Sequence, residues 1–188
     1  MGQSKLLLPL GTKTVIARVI DVLDRPEILE ITVVIRPDDD VLRTVLESLT
    51  AVIVQPSEEP QEMRESVQFA LDQIDKKHSP MDDDGWLLVP ADQPVLDTEV
   101  LDVVLQRWQQ GDCQILVPRF GDQRGHPTLF QWKLADEISQ IPCGHGLNWL
   151  LHKHAEKVIE LEIDRPAVIT DLNTPEDYQQ LLERWTEH

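Results

Sequence analysis

The chain is short of cysteine, of basic residues and of long apolar runs, and each shortage removes a class of function. Its two cysteines, Cys113 and Cys143, are too few for a disulfide scaffold and lack zinc-ribbon spacing, so reduced thiols in a cytoplasmic protein are expected. Seventeen Lys plus Arg stand against thirty-four Asp plus Glu, a formal charge of −17. Binding to nucleic acid or an anionic membrane needs basic side chains, so neither is an expected partner. An anionic small substrate is also repelled, unless local cations or a divalent metal invert the field at its site. The leucine run at positions 6–8 stops at Pro9, which makes it neither a signal-peptide core nor a membrane span. There is no repeat, linker or low-complexity tract, and "MDDDG" reads as a solvated loop. His152 and His154 are spaced i, i+2 and point to different helix faces, and no H-E-x-x-H pattern includes them or His145, so no histidine metal site is expected.

What is present fits one domain over residues 1–188, a length at which roughly 70% of the unfolded surface is buried. Val15, Ile16, Val19, Ile20 and Leu23 fall at helical spacing, with Thr12 or Thr14 able to cap. "ILEITVVIRP" and "TAVIVQP" are short β-branched runs ended by proline, the pattern of strands buried on both faces. Helices are expected from "DDDVLRTVLESL" and "MRESVQFALDQI". A third strand runs from Trp86 to about Pro90, followed by a helix capped by Asp97 or Thr98. "CQILVPRF", "HPTLFQW" and "KVIELEI" read as further strands and "LNWLLHKHA" as a short helix. A last helix has Thr174 as N-cap and Pro175 at its first position. Strands alternating with helices predict an α/β fold with a mostly parallel sheet covered on both faces.

Ligands of such sheets bind beyond the carboxyl ends of the strands. That rule selects Asp92, held in a turn because Pro94 stops the strand, and Asp171, which follows "PAVIT". Two carboxylates converging there suit Mg²⁺, although a strand-end aspartate is also a common turn former or helix cap. In "RFGDQRGHP", Arg119, Arg124 and His126 place cationic or donor groups where an anion can be held; a hairpin with solvated arginines is the alternative. Lys5 is either a phosphate-binding point charge or a solvated lysine.

Four stretches taken together, "MGQSKLLLPL", "VPADQPVLDTEVL", "RGHPTLF" and "DLNTPEDY", resemble the MobA-like nucleotidyltransferases, which include molybdenum cofactor cytidylyltransferases and guanylyltransferases. The resemblance covers essentially the whole chain. It implies a three-layer Rossmann-like nucleotidyltransferase fold joining a nucleoside triphosphate to a phosphorylated acceptor, classically molybdopterin, with release of pyrophosphate. By that resemblance Asp92 and Lys5 are the catalytic pair, and Asp92 and Asp171 hold Mg²⁺. Gly2, Lys5, Pro9, Ser66 and Gln93 contact the nucleotide, and Arg124, Gly125, His126 and Pro127 the acceptor.

The chain departs from the family's pattern in several places. Ala91 replaces the glycine before the metal aspartate, Gln55-Pro56 the N-P turn, and Asp171-Leu172-Asn173 the D-x-D variant; "SEEPQEMRES" lacks the glycine usual before Ser66. Met1 and Gly2 occupy the family's M-G positions, ahead of which the family has a strand and the turn L-A-A-G-x-S-x-R. An N-terminally truncated sheet is therefore expected, closed either by direct pairing of the flanking strands or by a segment from a second copy in a homodimer. Two functions follow from the resemblance: a Mg²⁺-dependent nucleotidyltransferase using CTP or GTP, or a non-catalytic homologue that binds a pterin, a nucleotide or a partner enzyme.

Overall fold

The computed structural model describes residues 5–185. Lys5–Leu7 form a 3-10 turn rather than a strand, and β1 (Pro9–Leu10) and β2 (Lys13–Thr14) make a small antiparallel hairpin. Helix α1 (Val15–Leu23) follows directly, with the Thr14 hydroxyl accepting from the Ala17 N–H at 3.4 Å, so Thr14 rather than Thr12 is the cap. Then come β3 (Thr32–Val34), α2 (Asp40–Leu46), β4 (Val52–Val54), α3 (Met63–His78), β5 (Gly85–Leu88) and α4 (Thr98–Trp108). The carboxyl-terminal half contributes β6 (Ile115–Phe120), β7 (Gln123–Arg124), β8 (Thr128–Gln131), α5 (Asn148–Lys153), β9 (Val158–Glu162) and α6 (Pro175–Trp185). Asp97 caps α4 by accepting from the Val100 N–H at 2.8 Å.

The strands form two groups. β3 and β4 pair in parallel, with Thr32 opposite Val52 and Val34 opposite Val54. The larger sheet runs β5-β8-β6, with β9 parallel to β6 on its far side and β7 completing a hairpin with β6. Within it β8 is antiparallel to both β5 and β6. Alternation along β6 separates the faces. Ile115 and Val117 join Trp86, Phe130, Leu71 of α3 and Leu150 of α5 on one side. Leu116 joins Leu129, Val19 of α1 and Val100, Leu101 and Val104 of α4 on the other. Trp86 and Phe130 stack with centroids 4.3 Å apart. Helices on both faces of the sheet make three layers, as the sequence pattern predicts.

Two expectations need correction. Direct pairing between β3 and β5 does not occur: among the described residues, β3 pairs only with β4 and β5 only with β8. The run from Ile28 to Pro37 also pairs over just three residues, because only one of its edges has a neighbour. A nine-residue 3-10 segment, Trp132–Gln140, had no sequence forecast; it buries Leu134, Ala135 and Ile138 under the larger sheet. No helix among the described residues is long and apolar enough to cross a membrane.

Candidate active site

Beyond its last paired residue β5 runs on through Val89, Pro90 and Ala91 into a turn, in which the Gln93 N–H donates to the Pro90 carbonyl at 3.3 Å. The turn presents Asp92 at the carboxyl end of the strand. Lys5 Nζ donates to Asp92 Oδ2 at 2.6 Å and to Asn173 Oδ1 at 3.2 Å. The backbone joins the same partners, since the Leu172 N–H donates to the Asp92 carbonyl at 2.9 Å. Residues from the two ends of the chain thus meet on one strand-end turn.

Gln93 carries the second aspartate. Its side chain is 1% exposed, and its Nε2 donates to Asp171 Oδ1 at 2.7 Å. Its Oε1 is buried without a hydrogen-bond partner among the described residues, and burial of such an atom is costly. Asp171 also lines a cavity of about 60 Å³ with Pro94, Leu172 and Asp177. Asp177 closes a reciprocal cap on α6: its Oδ2 accepts from the Asn173 and Thr174 N–H groups at 3.0 and 2.7 Å, and its own N–H donates to Thr174 Oγ1 at 3.1 Å. The hydrogen bonds from Thr174 and Asn173, with the Lys5 charge nearby, hold its carboxyl below the usual range.

His126 approaches the same end of the sheet. Burial pushes its pKa down and outweighs the opposing effects of the Leu88 backbone and the Asp171 and Asp92 charges, so the ring is neutral near pH 7. The His126 backbone N–H donates to the Val168 carbonyl at 2.8 Å, and the His126–Pro127 bond is cis. Gly125 is where this turn packs against the 3-10 turn Pro166–Ile169; a Cβ there would lie 2.0 Å from the Val168 carbonyl oxygen. Only glycine permits that approach, which in turn delivers the chain to Asp171.

The remaining sequence-selected residues lie outside this cluster. Arg124 Nε donates to Glu160 Oε1 at 2.8 Å on exposed edge strands, and Arg119 Nη2 meets Glu162 at 2.7 Å, so both arginines of the loop are ion-paired away from Asp92. Ser66 lies in the first turn of α3, and the Pro9 carbonyl accepts from the Tyr178 hydroxyl; neither residue makes a polar contact with the cluster. Gly2 lies outside the described residues. Asn173, in the sequence only a departure from D-x-D, accepts from Lys5 through its side-chain oxygen; its signal is its place two residues after Asp171.

The donor set suits a hard divalent cation. The Lys5 ammonium is a stand-in cation held by oxygens of Asp92 and Asn173, and Mg²⁺ and Mn²⁺ prefer carboxylate and carbonyl oxygen. Among the described residues no three His, Cys, Asp or Glu side chains form a complete metal cage, so a metal here would take further ligands from phosphate oxygens or water.

The MobA-like NTP transferase domain matches residues 1–158 of the chain. No curated protein matches it. Among solved structures, Rv0371c from Mycobacterium tuberculosis H37Rv is 25% identical with a TM-score of 0.78, the match covering 97% of this chain and 91% of that one. Its complex with manganese aligns with the same identity and TM-score over 97% of this chain and 93% of that one. Molybdopterin-guanine dinucleotide biosynthesis protein A from Archaeoglobus fulgidus shares the fold at 16% identity and a TM-score of 0.70, covering 100% of this chain and 93% of that one.

Proposed function

Because the chain belongs to the MobA-like NTP transferase family, we propose that it moves a nucleotidyl group from CTP or GTP to a phosphorylated acceptor such as molybdopterin, releasing pyrophosphate, with Mg²⁺ held by Asp92 and Asp171. The observation that carries this reading is the meeting of Lys5, Asp92 and Asn173 on one turn, with Asp171 fastened beside it by buried Gln93. An acceptor phosphate oxygen attacks the α-phosphorus, the bond to the bridging oxygen of the β-phosphate breaks, and pyrophosphate leaves with the electron pair. No protein nucleophile is needed; alignment and charge neutralisation supply the catalysis. A bound Mg²⁺ supplies Lewis-acid neutralisation of the phosphate oxygens. Lys5 contributes a positive charge in a chain of net charge −17, and Gln93 keeps the Asp171 carboxylate aimed. His126, buried and neutral at pH 7, packs at the same end of the sheet without adding charge.

Calorimetry with Mn²⁺ and then with each triphosphate tests the reading. Wild type should bind CTP or GTP only with the divalent ion, and Asp92→Asn should lower metal-dependent nucleotide affinity at least about tenfold, the loss of one charged metal ligand. Lys5→Met should bind Mn²⁺ alone more tightly than wild type, since the ammonium then no longer competes for Asp92, while losing triphosphate affinity. Binding of a triphosphate that ignores the divalent ion, or no binding of any nucleotide, overturns the assignment.

A further inference from the structure

The end of the larger sheet away from Asp92 carries a second concavity. Gly85 of β5 stands opposite Gln131 of β8, while Leu88, which leads on to Asp92, stands opposite Thr128. Gln131 is therefore displaced along the sheet from Leu88 by roughly 10 Å, and from Asp92 by more. Three backbones are tied together at this end: the Gln131 N–H donates to the Gln114 carbonyl at 2.8 Å, and the Gln114 N–H to the Lys157 carbonyl at 3.1 Å. Beside that seam lies an open groove of about 230 Å³, to which Gln114, Gln131, Lys133 and Lys157 all contribute.

In charge the groove is the reverse of the chain around it. Acids outnumber bases thirty-four to seventeen, and carboxylates take up many of the cations, among them Arg25, Arg119, Arg124 and Arg165. Lys133 and Lys157 are exposed, and neither ammonium is ion-paired among the described residues. The one carboxylate in the lining, Asp112, is already met by Arg107, with Nη1 donating to Oδ1 at 2.7 Å and Nη2 to Oδ2 at 3.2 Å. Cys113 adds no charge, because burial pushes its thiol pKa up. The Gln114 and Gln131 side chains make no hydrogen bond among the described residues, and Oε1 is the buried end of Gln131, which leaves its NH₂ end outermost. The uncommitted polar groups of the lining are thus two ammoniums and two amides, a surplus of donors.

We propose that this groove binds a small phosphate-bearing anion of at least two negative charges, at a site separate from the one around Asp92. Two ammoniums set the charge. They also favour phosphate, since an ammonium is a point charge that meets phosphate oxygens from any direction, whereas a planar carboxylate is matched best by a guanidinium fork, and the fork bonded to this wall, Arg107, is occupied by Asp112. The volume sets the size: at about 30 Å³ for each water it equals roughly eight waters, room for a diphosphate or for the phosphate ester of a three-carbon alcohol. No divalent ion is called for, because the only carboxylate in the lining is spoken for. The inference rests on the groove and not on nucleotidyl transfer.

Amide NMR of the intact protein tests it, with inorganic pyrophosphate as the probe, EDTA present to keep divalent ions off Asp92, and ionic strength held constant with sodium chloride. Saturable shifts are expected at Cys113, Gln114, Lys133 and Lys157, half complete at about 1 mM or below. Lys133→Gln and Lys157→Gln should each raise that midpoint about fivefold, the loss of one charged hydrogen bond at an exposed position, and should leave the urea unfolding midpoint in place. Citrate at matched charge should bind about fivefold more weakly, lacking a guanidinium fork to receive it. Shifts that never saturate would overturn the proposal, as would citrate binding as tightly as pyrophosphate, or a midpoint that both lysine variants leave unchanged. Shifts centred on Asp92 with the groove amides still would overturn it too, while leaving the metal-dependent nucleotide reading intact.

Discussion

The two halves of the sheet differ in how much each strand is asked to do. In the carboxyl-terminal half β6 is paired on both edges and covered on both faces, and Ile115, Leu116 and Val117 are at most 1% exposed. In the amino-terminal half β3 and β4 touch over three residues, each has a single edge paired among the described residues, and none of their six residues is fully buried. A strand's contribution thus follows from its neighbours more than from its own composition: "TVV" and "ILV" are alike in β propensity and unlike in burial.

The comparison can be broken first at its strongest point. Leu116→Ala in β6 should cost about 3–4 kcal/mol by urea unfolding, the cost of a cavity in a tight core. Val33→Ala in β3 should cost about 1 kcal/mol, since its site is already half open. Similar losses would mean the halves are equally packed. A sharper probe is Gly125→Ala: the added carbon meets the Val168 carbonyl at 2.0 Å, so the Pro166–Ile169 turn must shift. About 2–3 kcal/mol of stability should go, typical of overpacking, and Mn²⁺ binding should weaken because Asp171 lies just beyond that turn. Unchanged Mn²⁺ affinity in a destabilised variant would separate the turn from the site.

The smallest effect belongs to Glu30, at the entry to β3. Burial raises its pKa, but hydrogen bonds from Lys77, His78 and Thr32 prevail and hold it below 4.5. A carboxyl with a lowered folded pKa stabilises above its unfolded value and loses that contribution as pH falls through the folded one. Glu30→Gln should therefore cost below about 1 kcal/mol at pH 7, a cost that shrinks as the pH falls through the folded pKa, measured by thermal unfolding across the acid range.

Helix positions and caps were legible in the sequence because they depend on neighbours three or four residues away: Thr14, Asp97 and Thr174 each sit ahead of a periodic apolar stripe. Strand extents were less so, since Ile28–Pro37 has the composition of a buried strand along its whole length and only pairing decides how much of it forms one. The direction of β8 is likewise set by its partners and leaves no mark on "TLFQ". At the site, Asp92 does follow the end of a strand, whereas Asp171 follows the 3-10 turn Pro166–Ile169 rather than the strand expected from "PAVIT", and Gln93, a nucleotide contact by the resemblance, is instead buried against Asp171. Arg124 carried the right charge in the right loop, but Glu160 on a distant segment claims it, and such a pairing cannot be read along the chain.

The Lys5–Asn173, Pro9–Tyr178 and Arg18–Trp185 contacts bring both ends of the described chain to one corner of the molecule. A label attached at Lys5 would crowd Asp92, its ion-pair partner. A purification handle, a fluorophore or a surface tether is better placed at the far edge, in the exposed turn at Gly111, where an added side chain would meet nothing within 4 Å.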